Sequence, residues 1–311
     1  MASSLLGCQT DAPSTPPSAV ESPNWLAIRG NAAVDPLNCT SASQLAVPAE
    51  WMLSGLPADA EQWKPCDRLA LMDKLGQRLA QEKSGRWGDR MEKLWLNGLL
   101  GVVPTDQIAQ KLPEWALPAQ GDTIWVNQFA TTHRKIELSQ TSVSAHLESP
   151  FPQRIEWKLY LSPEKVQSFT LGVRIPCWSD NLPDPDSSFR YQSKTNRKLV
   201  LDVNGQWVYP EIVDGIGYIT RKWIAGDEIS LSIPTSLRKV RSETQSDQFA
   251  LQYGPIVFTP QQTGQINGWA SDTRFFLNDS SWTVMVPQSD FQAIPLNQLP
   301  NTSPWMPILQ N

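Results

Sequence analysis

Apolar and polar residues alternate with a period of two over much of the chain between Phe169 and Phe258. Phe169, Leu171, Val173, Ile175 and Cys177 fall on one face of a strand, and Leu199, Leu201 and Val203 repeat the pattern before a turn at Asn204-Gly205. Tyr218 to Trp223 forms a further strand. Ala225-Gly226-Asp227 then turns the chain into Glu228–Pro234, whose Ile229, Leu231 and Ile233 face inward. Such alternation marks strands with one face on a core and the other in water. Trp157 lies in a similar alternating stretch, and His133 and His146 fall on what reads as a β-hairpin. Upstream the period changes. From Cys66 the residues Leu69, Met72, Leu75 and Leu79 recur at helical spacing until Ser84-Gly85, and a second helix runs from Arg90 to Leu100.

Composition narrows the picture. The 311 residues suffice for about two domains, and 40% apolar residues suffice for a folded core. A count of 26 prolines suits a loop-rich β protein. The net charge of −5 argues against a nucleic-acid partner, since phosphate binding needs clustered Lys and Arg. Near the start, Leu5-Leu6-Gly7-Cys8 resembles a bacterial lipobox, and the segment from Asp11 to Pro23 reads as a flexible tether. The motif predicts a lipidated Cys8 and a secreted or membrane-anchored lipoprotein. Only seven residues precede Cys8 and none is Lys or Arg, which leaves a cytoplasmic location as the alternative. Of the other cysteines, Cys177 reads as a small core residue of its strand.

The order of several phrases resembles the C-terminal part of glycoside hydrolase family 127, the β-L-arabinofuranosidase-like family. These are Val173-Arg-Ile-Pro176 with Trp178, Val203-Asn-Gly205, Tyr218-Ile219 with Trp223, Ala225-Gly-Asp227, and Ala250 to Val257. The helix pair ending in Asn97-Gly98-Leu99-Leu100, Leu56-Pro57 with Asp59 ahead of it, and Trp125 to Phe129 after it extend the likeness to about residues 50–260. The resemblance implies a mainly β fold, one or two antiparallel β-sandwiches, preceded by a short α-helical remnant of an (α/α)6 barrel. It divides the chain into a linker at 1–24, a helical part at 25–118 and a β region at 119–311.

The same resemblance implies chemistry that the motif positions do not carry. The family holds a zinc ion through a Glu-x-Cys pair and two adjacent cysteines, one of them the nucleophile. Here Cys66 stands at the Cys of that pair while Lys64 replaces the Glu, and Gly101 to Gln107 contains no cysteine. Cys66 thus reads as a helix-packing residue, a vestigial metal ligand or a disulfide partner of Cys39, and no zinc or other cofactor is expected. Glu50 is the candidate for the family's acid/base carboxylate. Asp180, Asp184 and Asp186 read as a solvated loop, because calcium loops need a Gly at the turn and a closing Glu. With two histidines there is little scope for a zinc set or a triad. Most of the 14 tryptophans read as packing, while Trp178, Trp207 and Trp269 lie at strand ends or loops and are the candidates for glycan contact. The expected function is that of a non-catalytic relative with a glycan-binding or scaffolding role. The alternative is an active hydrolase acting on arabinose-containing glycans through an altered site.

Overall fold

Three helices precede all of the described strands. The computed structural model describes residues 39, 51–53, 63–151, 154–185, 189–196, 198–244, 247–261, 269–270, 272–278, 280–287, 289–298 and 304–307. Helix α1 (Pro65–Glu82) opens on a proline at its first turn, where the missing N–H costs nothing, and buries Leu71, Met72, Leu75 and Leu79. It ends at Lys83, whose backbone is left-handed at φ 52° and whose N–H bonds to the Leu79 carbonyl. Helix α2 (Gly85–Lys93) follows at once and widens into a π-helical turn over Leu94–Leu99. It therefore begins earlier than the periodicity predicts. A third helix, α3 (Thr105–Ala116), occupies the region expected to hold the cysteine pair of the family. Its Trp115 Nε1 donates to Asp73 of α1 at 2.9 Å, which ties the two helices together.

The strands form three sheets. The first holds, in spatial order, β1 (Ala119–Gln120), β2 (Thr123–Val126), β6 (Gln167–Arg174), β11 (Ile216–Trp223) and β10 (Ile212–Val213). The second runs β3 (Thr132–Glu137), β4 (Ser142–Glu148), β5 (Glu156–Pro163), β12 (Asp227–Ser232), β8 (Val200–Val203) and β9 (Gln206–Trp207). The third runs β16 (Phe276–Asn278), β17 (Thr283–Met285), β18 (Gln292–Pro295), β15 (Ile256–Pro260), β14 (Gln248–Tyr253), β13 (Leu237–Ser242) and β7 (Phe189–Tyr191), with β19 (Met306–Pro307) also paired to β14. The pairing is antiparallel except between β2 and β6, which run parallel.

Inner faces of the first two sheets share one core. Ile124, Leu171 and Val173 belong to the same buried cluster as Leu147, Leu159, Leu161, Ile229 and Leu231, and the apolar side of α1 joins it. The expected turns are present. Asn204 and Gly205 both have positive φ, 53° and 79°, as a two-residue hairpin between β8 and β9 requires. Asn204 also bonds Asp227 across the sheet at 2.7 Å, linking this turn to the one before β12. Ala250 to Val257 folds as a hairpin, β14 to β15, rather than as one strand.

One strand ends earlier than alternation suggests. β6 stops at Arg174, and Cys177 opens a one-turn 3-10 helix, Cys177–Asp180, in a half-buried position. Pro176 explains the break, since it has no N–H to extend the ladder. Within β6, Gly172 lies under the Trp125 indole, and a Cβ there would meet Trp125 Cδ1 at 2.6 Å. Gly172→Ala is expected to lower the unfolding free energy by about 1–3 kcal/mol in chemical denaturation, as overpacking does. An unchanged denaturation midpoint would contradict this packing.

Candidate functional site

Helix α2 is buried on nearly every side although it is rich in charge. Asp89, Arg90, Glu92 and Lys93 are each 4% exposed or less. Charges so placed must be paired, because unpaired burial costs several kcal/mol. Two of the partners, Arg174 and Asp184, lie more than eighty residues further along the chain. Arg174, the last residue of β6, donates from Nη1 to Asp89 at 2.6 Å and from Nη2 to Glu92 at 2.8 Å. Its Nε donates to the Asn127 carbonyl at 2.7 Å, and its guanidinium lies 4.6 Å from the Phe129 ring centroid. Gly88 makes room for this side chain, since a Cβ would come within 2.4 Å of Arg174 Cδ. Arg90 pairs with Asp184 at 2.9 Å, and Lys93 donates to the Leu53 carbonyl at 2.9 Å.

The segment after β6 closes over the same helix. Trp178 Nε1 donates to Glu92 at 2.9 Å, and the Cys177 N–H points at both oxygens of Asp89 at 3.3 Å. Burial pushes the Asp89 carboxyl up to about 6, against the opposing pull of the Arg174 charge. It also raises the Cys177 thiol well above its ordinary value and lowers the Lys93 ammonium. A thiol held protonated is a poor nucleophile.

Above Asp89 and Cys177 opens a cleft of about 730 Å³ between α2 and the ends of the strands. Ser84, Arg86, Asp180, Lys198, Tyr209 and Asp214 line its walls. Tyr209 is 85% exposed, and nearby in sequence Trp207 at the end of β9 is 71% exposed. Hydrogen-bonding groups around a shallow aromatic wall suit stacking and polar contact with a hydroxylated ligand.

The sequence-predicted residues are not gathered in this cleft. Cys66 is bonded to Cys39, so its sulfur is not a metal ligand. Lys64 caps α1 by donating its N–H to Asp67 at 3.0 Å. Among the described residues no group of three or more His, Cys, Asp or Glu is arranged to hold a metal. The donor set therefore does not fit zinc. His133 and His146 face each other across β3 and β4, as the hairpin reading requires, with ring centroids 6.2 Å apart on the exposed face. Glu50, Cys8 and Asp186 lie outside the described residues.

Three expectations need correction. Trp178 is 3% exposed, because Glu92 draws its indole into the interior, so it offers no platform. Trp269 is half-buried and packs edge-on against Phe275 and Phe291, so packing occupies most of its ring. Asp184 is not solvated: it is 1% exposed and neutralises Arg90. Trp207 alone of the three tryptophans stands free for contact. Tyr209, Asp89 and Arg174 were missed by the sequence reading. A Tyr in the polar loop after Trp207 was the available signal for the first.

Residues 123–235 match the family described as Beta-L-arabinofuranosidase, GH127 middle domain. This segment is a GH127 middle domain. It runs from β2 to just past β12, which is the two-sheet unit that carries Arg174 and most of the cleft wall. Among solved structures, a GH127 beta-arabinofuranosidase is similar to this chain with a TM-score of 0.70 at 16% identity, covering 84% of this chain and 54% of its own. A GH127 beta-L-arabinofuranosidase from Geobacillus stearothermophilus T6 gives 0.58 at 19%, covering 79% and 49%. A third structure, a glycoside hydrolase, gives 0.55 at 14%, covering 79% and 52%. The chain spans about half the length of these proteins, and at such identity the likeness is one of fold. A comparison with curated proteins finds no match.

The GH127 middle domain should be sensitive at its seam with α2. Arg174→Met leaves Asp89 and Glu92 facing each other without a cation, and is expected to cost about 3–5 kcal/mol in urea denaturation. Asp89 should report on pH. Its folded value of about 6 lies above its ordinary 3.8, so its contribution to stability is greatest below 3.8 and is lost as pH rises through 6. The stability difference between wild type and Asp89→Asn should therefore shrink over that interval. A difference that grows with pH there would contradict the assignment.

Proposed function

We propose that this chain is a non-catalytic relative of the GH127 arabinofuranosidases that contacts glycans through exposed aromatic residues. The observation that carries the reading is Tyr209, 85% exposed on the wall of a cleft of about 730 Å³, with Trp207, 71% exposed, two residues before it in the chain. Their flat rings offer a surface on which the apolar face of a sugar ring can stack. The motif positions support the non-catalytic part of the reading. Lys64 brings a positive charge to a place where the resemblance calls for a carboxylate ligand, and Cys66 is committed to Cys39.

A surface location goes with this role. The Cys39–Cys66 disulfide supports an oxidising compartment, where such bonds persist. The lipobox-like Leu5-Leu6-Gly7-Cys8 supplies the means of attachment, through a lipidated Cys8. Expression in the native host should give a membrane-associated product, and Cys8→Ser should release it. A wild-type product that remains in the cytoplasm would refute the tether.

One experiment addresses the contact surface and the catalytic question together. The purified chain is titrated with neutral arabino-oligosaccharides and assayed on aryl β-L-arabinofuranosides. Shallow stacking on one or two rings should give millimolar binding, about −4 kcal/mol, that Trp207→Ala or Tyr209→Ala weakens. No turnover and no stoichiometric zinc by elemental analysis are expected. Turnover that chelation abolishes, or binding indifferent to both substitutions, would overturn the proposal.

A further inference from the structure

The third sheet carries a second cleft whose charge is opposite to that of the chain. It encloses about 460 Å³, within the size range of small-ligand pockets, and among the described residues Lys239 and Arg274 bring positive charge to its lining, with Asp272 close enough to act on Lys239. The chain as a whole is acidic at −5, so this concentration of positive charge is local. Each cation is placed differently. Arg238, next to Lys239 on β13, turns its guanidinium to the other face of the strand, where the Asn181 side chain and the Ser193 carbonyl hold it, both at 2.7 Å, over the Tyr191 ring. Lys239 Nζ sits between two aromatic rings, 5.1 Å from Phe249 and 5.2 Å from Phe275. Arg274 is exposed at the rim, beside Phe276, whose ring is 51% exposed.

We infer that this cleft is a binding site for a carboxylate-bearing sugar, a uronate unit of an acidic glycan. Two features select the class. Two cations, Lys239 and Arg274, against the one neighbouring carboxylate of Asp272 favour an anion, and a guanidinium at the rim matches the two oxygens of a carboxylate. The exposed Phe276 ring and the polar Gln192 and Ser193 give the rest of a sugar an apolar face and hydroxyl partners. Burial lowers the Lys239 ammonium, with the Asp272 charge opposing this, and a bound carboxylate would favour its charged form further. The assignment rests on the glycan reading above for the kind of ligand, but it uses a different sheet and different residues.

The test uses the full chain with three probes: trigalacturonate, its methyl ester and a neutral arabino-oligosaccharide, each followed by calorimetry or chemical-shift titration. Trigalacturonate should bind, the ester about tenfold more weakly, and Arg274→Gln or Lys239→Gln should weaken the acid by a similar factor. Added salt should weaken it too, because the rim is in water. Trp207→Ala should leave it unchanged. Equal binding of acid and ester, no effect of either Gln substitution, or no trigalacturonate binding at millimolar concentration would overturn the inference. Inorganic phosphate titrated alone with the affinity of trigalacturonate would also overturn it, by showing a simple anion site. Neutral-sugar binding that depends on Trp207 while trigalacturonate fails would sink this inference alone. The reverse result would sink only the reading of the Trp207 surface.

Discussion

Arg174 is the side chain on which the helical and β parts of the molecule converge. Its guanidinium is 1% exposed and holds two carboxylates of α2 together with a backbone carbonyl at the end of β2. Burial raises the Asp89 carboxyl to about 6, so it stays mostly ionised at neutral pH, and the Cys177 N–H and the Trp178 indole add donors to the carboxylates of Asp89 and Glu92. The arrangement is thus satisfied only when α2, β6 and the turn after Pro176 are all in place. Gly88 is part of it, since any side chain there would collide with Arg174.

This convergence also shapes the cleft. Asp89 and Cys177 form its floor, and both are held in place by the ion cluster. The walls come from loops and short edge strands, where Tyr209, Ile212 and Val213 remain exposed. On the proposed reading, the open rim makes the contact and the floor holds its shape. The GH127 middle domain supplies most of this surface, while α2 supplies the floor's carboxylate from outside the matched segment.

Much of the fold was legible because single residues declared it. Leu171 and Val173 alternate with polar neighbours, Asn204-Gly205 demands a hairpin turn, and Leu75 and Leu79 repeat at helical spacing. The site was less legible. Nothing local to Asp89, Arg90, Glu92 and Lys93 reveals that Arg174 and Asp184, more than eighty residues away, pair with charges of this helix in the interior. Trp178 followed the same rule, since the Glu92 that draws it inward is 86 residues distant. Helix α3 was less legible although Ile108, Leu112 and Trp115 recur at helical spacing, because Pro113 interrupts the pattern. Cys66 left its alternatives open in the sequence, and only the position of Cys39 decides among them.

If the ion cluster makes the helices and the sheets one cooperative unit, they should open together. Native-state hydrogen exchange on the backbone amides of α2 and β6 measures this directly. The account predicts that both elements exchange with the same opening free energy, close to that of global unfolding. Amides of α2 that exchange through a separate opening of much lower free energy, while those of β6 stay protected, would contradict it.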